Sequence, residues 1–390
     1  MFKEFIELRH VRGFKTAVLP LSIAFFVYTF GWGITSPMFS IFINNITGSL
    51  FLTGVVLSLT TMMGIFLNFP LGILEGRLKI KRVLQAMLLI YVAIALLYPT
   101  AGSLVPLLAL SIVRGVASSF LWLTSWSYIF YYTRRKEKGK ETGFFSSMND
   151  LASALSPLLG GFAVALSFFA PFYILAATSL AAFLIITFFI KENPKPKVYS
   201  FKKQFQTLRR RIKDKAFVKT ILMIFVFYAL INVYYSFVSV LLNGEGVSIF
   251  FIGVLLTVSL LITALLEVTI GNLIDRHGLR KVLSLAVIAA AVTGFSIVLS
   301  QSVVYLLLAI TLFTISYTII FIGLYSRMED IIRADKAAMT GAIATFKDAG
   351  YTIGPLLAGM LMLPLGIKET FMLVSGMFLL LLPITLSLKD

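Results

Sequence analysis

The chain has 390 residues, 59% of them hydrophobic and only 13% charged, with a mean hydropathy of +0.95. Soluble domains carry about a quarter charged residues, so no ordinary globule fits. The apolar content excludes disorder, and the lack of cysteine, with only two histidines, excludes disulfide frameworks and the common metal centres.

A helix needs about 20 mainly apolar residues to cross a bilayer. In chain order twelve stretches qualify, at 16–43, 50–74, 82–98, 105–132, 142–168, 171–190, 218–242, 248–272, 281–300, 303–327, 339–363 and 367–388. They are continuous rather than alternating, which predicts spanning helices and not barrel strands. The first reads as a true span and not a cleaved leader, because mixed charges precede it and no small-residue cleavage site follows.

The charges then fall into place. Lys+Arg number 34 against 17 Asp+Glu, a net +17. Of the 34 cations, 31 lie at the N-terminus, in the turns after spans 2, 4, 8 and 10, in segment 191–219, or at Lys389. The intervening turns carry none except Lys368. This is the positive-inside pattern. It predicts a multi-pass protein of the cell membrane with both termini cytoplasmic, and it removes nucleic acid as an expected partner. Segment 191–217 is the one compositional break. Phe201, Phe205, Leu208, Ile212 and Ala216 recur at helical spacing among lysines and arginines. That pattern suits either an amphipathic helix on anionic lipid or a solvated linker.

The chain also repeats itself. Gly72-Ile-Leu-Glu-Gly-Arg77 matches Gly271-Asn-Leu-Ile-Asp-Arg276 at an offset of 199, shared by Gly54/Gly253 and Asn44/Asn243. Thr142-Gly143, Asp150 and Pro157 recur as Thr340-Gly341, Asp348 and Pro355 at 198. Several separated matches in one register mark an internal duplication. Two six-helix halves in parallel order form a known transporter plan. The expected division is 1–190, a basic linker 191–217, and 218–390.

Gly271-x-Leu273-x-Asp275-Arg276-x-Gly278-x-Arg280-Lys281 resembles the loop signature of the major facilitator superfamily. Gly350-x-x-x-Gly354-Pro355-x-x-Ala358-Gly359 is similar to its glycine–proline motif. The first-half copies depart from both: Gly76 stands where the acid belongs, Lys79 where the second glycine belongs, and Ala152 and Ser156 replace the glycines before Pro157. The resemblance implies an all-α membrane fold of two six-helix bundles around a central cavity, with alternating access. It also implies that helix 5 meets helix 8 and helix 2 meets helix 11, with helices 1, 4, 7 and 10 lining the path.

Several residues then become candidates. Gly72, Glu75, Arg77, Gly271, Asp275, Arg276, Gly278 and Arg280 would form a cytoplasmic gate, with Asp275 latching onto the positive N-terminus of helix 5 when the inside is closed. The competing reading of that motif is a basic turn that only fixes topology. Pro157, Gly354 and Pro355 would act as hinges, since proline removes a backbone hydrogen bond. Charges inside spans default to function. Arg114 resembles a helix-4 arginine of proton-coupled members, although its glycine follows too early. It would serve an anionic substrate or proton coupling, or else bond hydroxyls such as Ser111 and Ser118. Glu267 lies eight residues before Asp275, about 12 Å into span 8, and Asp150 is at similar depth in span 5. Two carboxylates meeting in a low dielectric do not both ionise, which suits a proton-carrying pair; a structural partnership of Glu267 with Arg276 is the alternative. Tyr28, Trp32, Trp122, Trp126, Asn232, Tyr234 and Tyr317 are candidates for the cavity wall or for plain bundle packing.

No enzyme motif and no cofactor signature is present in the sequence. The reading that follows is a monomeric secondary transporter of a small-molecule substrate, exporting amphipathic organic compounds in exchange for protons. Uptake of a polar metabolite or sugar, and a non-transporting receptor on the same fold, are the alternatives.

Overall fold

A computed structural model of the chain describes residues 18–74, 79–132, 138–190, 214–332 and 336–387. Twelve helical rods run through the described residues. The first half contributes α1 (Val18–Thr47), α2 (Leu50–Leu74), α3 (Ile80–Leu97), α4 (Leu104–Tyr132), α5 (Lys138–Leu166) and α6 (Ala170–Phe189). The second contributes α7 (Lys215–Gly244), α8 (Ile249–His277), α9 (Leu279–Ser296), α10 (Val303–Ile332) and α11 (Lys336–Leu365). The last rod, α12, begins as Ile367–Met377, tightens to a 3-10 turn at Phe378–Leu381 and ends as Leu382–Leu386. Eleven of these rods are long and apolar enough to cross a membrane, and α11 completes the set by its place in the fold. The repeat seen in the sequence reappears as matched lengths: α1 and α7 have 30 residues each, α3 and α9 have 18 each.

The rods outrun their apolar stretches at the end where the basic turns lie, called here the basic end. α8 continues through Asp275 to His277, and α10 to Ile332. An apolar pattern marks only the membrane-embedded part of a helix, and the last turns here stand in water. Gly278 stops α8 and starts α9 at φ 85°, a conformation that glycine adopts without Cβ strain.

The other, neutral end is closed. Two seams join the bundles, α5 with α8 and α2 with α11, as the resemblance implied. Each seam is built from glycine against backbone. A Cβ on Gly253 would collide with the Pro157 carbonyl, and one on Gly54 with the Pro355 carbonyl. Further toward the neutral end, Gly161 abuts Phe250 and Gly359 abuts Phe51. All four pairs obey the 199/198 offsets, so one contact has been used twice. Across the same end, Ile41 of α1 packs into the hydrophobic core of the second half and Ile249 of α8 packs against that of the first. Toward the basic end the α5–α8 seam parts: Gly143 on α5 and Gly271 on α8 have open space around them.

Lys368, the cation that broke the charge map, also finds its reason. Its ammonium sits 2.8 Å from Glu245, which accepts a further bond from Gln301 at 2.7 Å. These partners join three neutral-end turns of the second bundle. The bonds from Lys368 and then Gln301 hold the Glu245 carboxyl below the usual carboxylate range.

Candidate functional site

Over most of its length the first helix of each half is buried nearly all round, with one exposed residue in that stretch. On α1, Ser36 is exposed between Val18 and Asn44; on α7, Tyr235 is exposed between Met223 and Asn243. Ser36 and Tyr235 are related by the offset of 199. A helix sheathed on every side has no lipid face, so these two side chains mark an internal cleft between the bundles. On α10, Phe321 and Tyr325 are exposed, and Phe321 lies half a turn round from the exposed Leu312. They therefore extend the cleft along α10 toward the basic end, where it opens.

The first bundle supplies one buried cation to this region. Arg114 on α4 is 4% exposed. Its Nε and one terminal nitrogen donate to Thr60 Oγ1 on α2 at 3.1 and 2.5 Å. Its carbon centre lies 4.7 Å from the Trp32 ring and 4.6 Å from the Phe39 ring, so two aromatic faces hold it by cation–π attraction. Among the described residues the remaining terminal nitrogen has no hydrogen-bond partner. No carboxylate neutralises the guanidinium among the described residues. Of the two readings of Arg114, the one with a hydroxyl partner has its acceptor in Thr60, a residue that nothing in the sequence singled out. In the second bundle the repeat equivalent of Thr60, Ser259, meets the Thr311 hydroxyl at 3.0 Å instead. The cation is thus a feature of one half only.

The second bundle supplies phenols. The hydroxyls of Tyr235 and Tyr317 are hydrogen-bonded to each other, and Tyr317 packs on Phe313 at 5.8 Å. Tyr351 of α11 stacks on Tyr228 at 4.8 Å. Asp150 on α5 and Glu267 on α8, the helices of one seam, are both exposed, and Glu267 lies within the field of Asp150. The seam therefore brings together the two acids that the sequence placed at equal depth. No ion pair joins Glu267 to Arg276 among the described residues.

Other candidates take structural places. Asn232 donates its amide to the Tyr351 carbonyl at 2.5 Å. Pro355 has no N–H for that carbonyl, so Asn232 caps the gap that the proline leaves in α11. In α5 the Ser153 carbonyl, orphaned by Pro157, receives the Ser156 hydroxyl at 3.3 Å. Gly33 occupies the repeat position of Asn232, and Gly354 that of Ser156. One half caps its proline from within the helix, the other from across. Tyr28 and Tyr234 are buried inside their own bundles, the first against Tyr91 at 4.9 Å and the second against Phe313 at 4.7 Å. Trp122 and Trp126 pack on Phe145 at 6.4 and 5.2 Å, so the packing alternative describes them. Trp32 packs on Phe39 at 5.4 Å and its ring lies under the Arg114 guanidinium.

At the gate, Gly72 closes the last turns of α2, and Glu75 and Arg77 lie outside the described residues. Asp275, Arg276 and Arg280 are exposed, and no bond links Asp275 to the start of α5 among the described residues. Most of the amphipathic stretch 191–217 also lies outside the described residues.

A family model of the Major Facilitator Superfamily matches residues 21–250 and again 220–389. In sequence the chain is similar to multidrug resistance protein 2 of Bacillus subtilis, 23% identical over 289 residues and 72% of each chain. It is also similar to an MFS-type transporter of Methanocaldococcus jannaschii, 22% identical over 368 residues, 91% of this chain and 93% of that one. In fold it resembles a bacterial homologue of the human lysosomal transporter Spinster in an inward-facing, unoccupied conformation. That match has a TM-score of 0.81 at 14% identity and covers 95% of each chain. It also resembles the nucleoside transporter NupG, with a TM-score of 0.76 at 14% identity over 95% of this chain and 99% of that one. With both halves matched by the same model, and with twelve helices, paired glycine seams and a cleft at the repeat axis, the chain belongs to the major facilitator superfamily of membrane transporters.

Proposed function

We propose that the protein is a proton-coupled exporter of amphipathic organic molecules, resident in the cell membrane with its basic end cytoplasmic. One observation carries the coupling: Asp150 on α5 and Glu267 on α8, the helices of one seam, are both exposed, and Glu267 lies within the field of Asp150. Two carboxylates so placed hold one proton more readily than none, because the second charge is repelled by the first. The seam they sit on is one of the two along which the bundles rock, so a proton gained or lost there acts directly on the interface. The likeness to a multidrug resistance protein supports the substrate class. So does the cleft, where Tyr235, Phe321 and Tyr325 are exposed and the Tyr235 phenol pairs with that of Tyr317. Such a wall suits a flat, largely apolar molecule with one hydrogen-bonding group better than it suits a sugar.

In this reading the bundles spanning 1–190 and 218–390 move as units, and Asp275 docks at the α5 N-terminus when the basic end closes. The protein works as a monomer.

Reconstitution into liposomes tests the coupling. Wild type is expected to concentrate substrate only when a pH gradient is imposed. Glu267→Gln is expected to lose that gradient-driven flux while keeping substrate-for-substrate exchange. Unchanged dependence on the pH gradient in Glu267→Gln would rule out the carboxylate pair as the coupling site.

A further inference from the structure

The phenol pair of the second bundle lies between the cleft and Glu267. Tyr235 on α7 is 45% exposed, on the cleft wall, and its hydroxyl is hydrogen-bonded to that of Tyr317 on α10, which is only 8% exposed. Tyr317 in turn lies within the field of Glu267.

The packing of α8 on α10 accounts for that closeness. The two helices run side by side in the same direction, and the hydroxyls of Ser259 and Thr311 join them at 3.0 Å. Glu267 lies eight residues beyond that bond and Tyr317 six residues beyond it. At the helical rise these are depths of about 12 and 9 Å, and the turn of the helix brings both side chains to the same side of the pair. The other titratable groups nearby are Asp150 beside Glu267, and the phenols Tyr234 and Tyr351 beside Tyr317. Phenols keep their protons near neutrality, so the charge that varies here is carried by the carboxylates.

A phenol has one hydrogen to give. Two phenols that share a hydrogen bond therefore have one hydrogen left over, and its direction depends on which of them donates. Hydroxyl dipoles turn in a local field, and the field is little screened at a buried group such as Tyr317. An ionised Glu267 draws the Tyr317 hydrogen toward itself. Tyr235 then donates to Tyr317 and shows the cleft only a lone pair. A protonated Glu267 exerts no such pull. Tyr317 is then free to donate to Tyr235, whose own hydrogen turns into the cleft.

We propose that Tyr317 is a positioning residue that relays the charge of Glu267 to Tyr235, and that the transported molecule offers Tyr235 a hydrogen-bond donor, such as an amine or hydroxyl on an apolar ring. Such a molecule is held while Glu267 is ionised. It is released when a proton arrives from the water that reaches this exposed carboxyl, because Tyr235 then meets the donor with a donor. The inference rests on Glu267 as the proton site, and it adds to that reading the polarity of the group that the cleft recognises.

The pair 1-naphthol and 1-methoxynaphthalene tests the relay. Both are flat and largely apolar and both accept a hydrogen bond, but only naphthol donates one. Their affinities for the purified full-length protein are followed by their fluorescence at mildly alkaline and mildly acidic pH. In wild type the preference for naphthol is expected to be about 2- to 10-fold greater at alkaline than at acidic pH, the worth of one net hydrogen bond. Tyr317→Phe keeps the ring that packs on Phe313 and is expected to make the preference independent of pH, as is Glu267→Gln. A merely structural Tyr317 would lower both affinities and leave the pH dependence in place. Should Tyr317→Phe fail to fold, Tyr235→Phe decides, since it removes the presenting hydroxyl and should abolish the pH-dependent preference. Loss of that preference in Glu267→Gln but not in the phenol variant would overturn the relay alone. Its survival in Glu267→Gln would overturn both the relay and the reading of Glu267 as the proton site. Its absence from wild type would overturn the relay.

Discussion

At the scale of single residues, Arg114 shows how a charge survives at membrane depth. A guanidinium is always protonated, and inside a bilayer an uncompensated cation is costly. Here two ring faces and one hydroxyl carry it. Thr60→Val removes its one side-chain acceptor among the described residues while keeping the volume. Hydrogen bonds to charged groups are worth about 1.5–3 kcal/mol, and a loss of stability of that size is expected. Thermal unfolding in detergent measures it, and an unchanged melting temperature would mean that the rings alone suffice. The arginine and the two carboxylates were legible in the sequence because each interrupts an apolar run. Thr60 was not, since a threonine in a membrane helix is unremarked until the cation beside it is known. Asn232 was legible as a polar residue in a span but not as a cap, because its partner lies 119 residues away.

At the scale of elements, the prolines of α5 and α11 are held by complementary means. Each removes one backbone donor, and each orphaned carbonyl is repaired, by Ser156 in one case and Asn232 in the other. An unpaired buried carbonyl costs about 1–3 kcal/mol. Asn232→Ala is therefore expected to lower stability by that amount and to loosen α7 from α11. The melting temperature reads the first effect. Faster labelling of a cysteine placed on α11 near Tyr351 reads the second, and no change in either would remove Asn232 from the hinge. Which helices pair was readable beforehand, because glycine and proline recur in the same register in both halves. How far each helix runs was less so: α8 and α10 continue beyond their apolar stretches, and hydropathy falls silent where a helix enters water.

At the scale of the molecule, the cleft is sealed at the neutral end, and among the described residues the α5–α8 seam stands apart toward the basic end. Asp275 makes no bond in this state among the described residues, whereas the proposed latch gives it a partner in the opposite one. Asp275→Asn should thus leave the stability of the open state within about 0.5 kcal/mol of wild type. Charge–dipole contacts at helix ends contribute about 0.3–1 kcal/mol, so the variant should shift the two-state balance toward the open form by about two- to fivefold. Transport rate and the labelling of a cysteine in the basic half of the cleft both report that balance. A changed melting temperature with unchanged labelling would make Asp275 a structural residue instead. The overall plan of two bundles was legible from the duplication. The direction in which the cleft opens was not, because both states use the same residues and differ only in which contacts are made.

The seams carry a consequence for how such a protein can change over time. Where Gly253 meets Pro157 and Gly54 meets Pro355, main chain rests on main chain. A bearing of that kind is indifferent to most side chains around it. The lining of the cleft can drift toward new cargoes while the pivot keeps its fit, provided four small or cyclic residues stay put. That uncoupling of motion from recognition offers a physical reason why chains with 14% identity can share one architecture over 95% of their length.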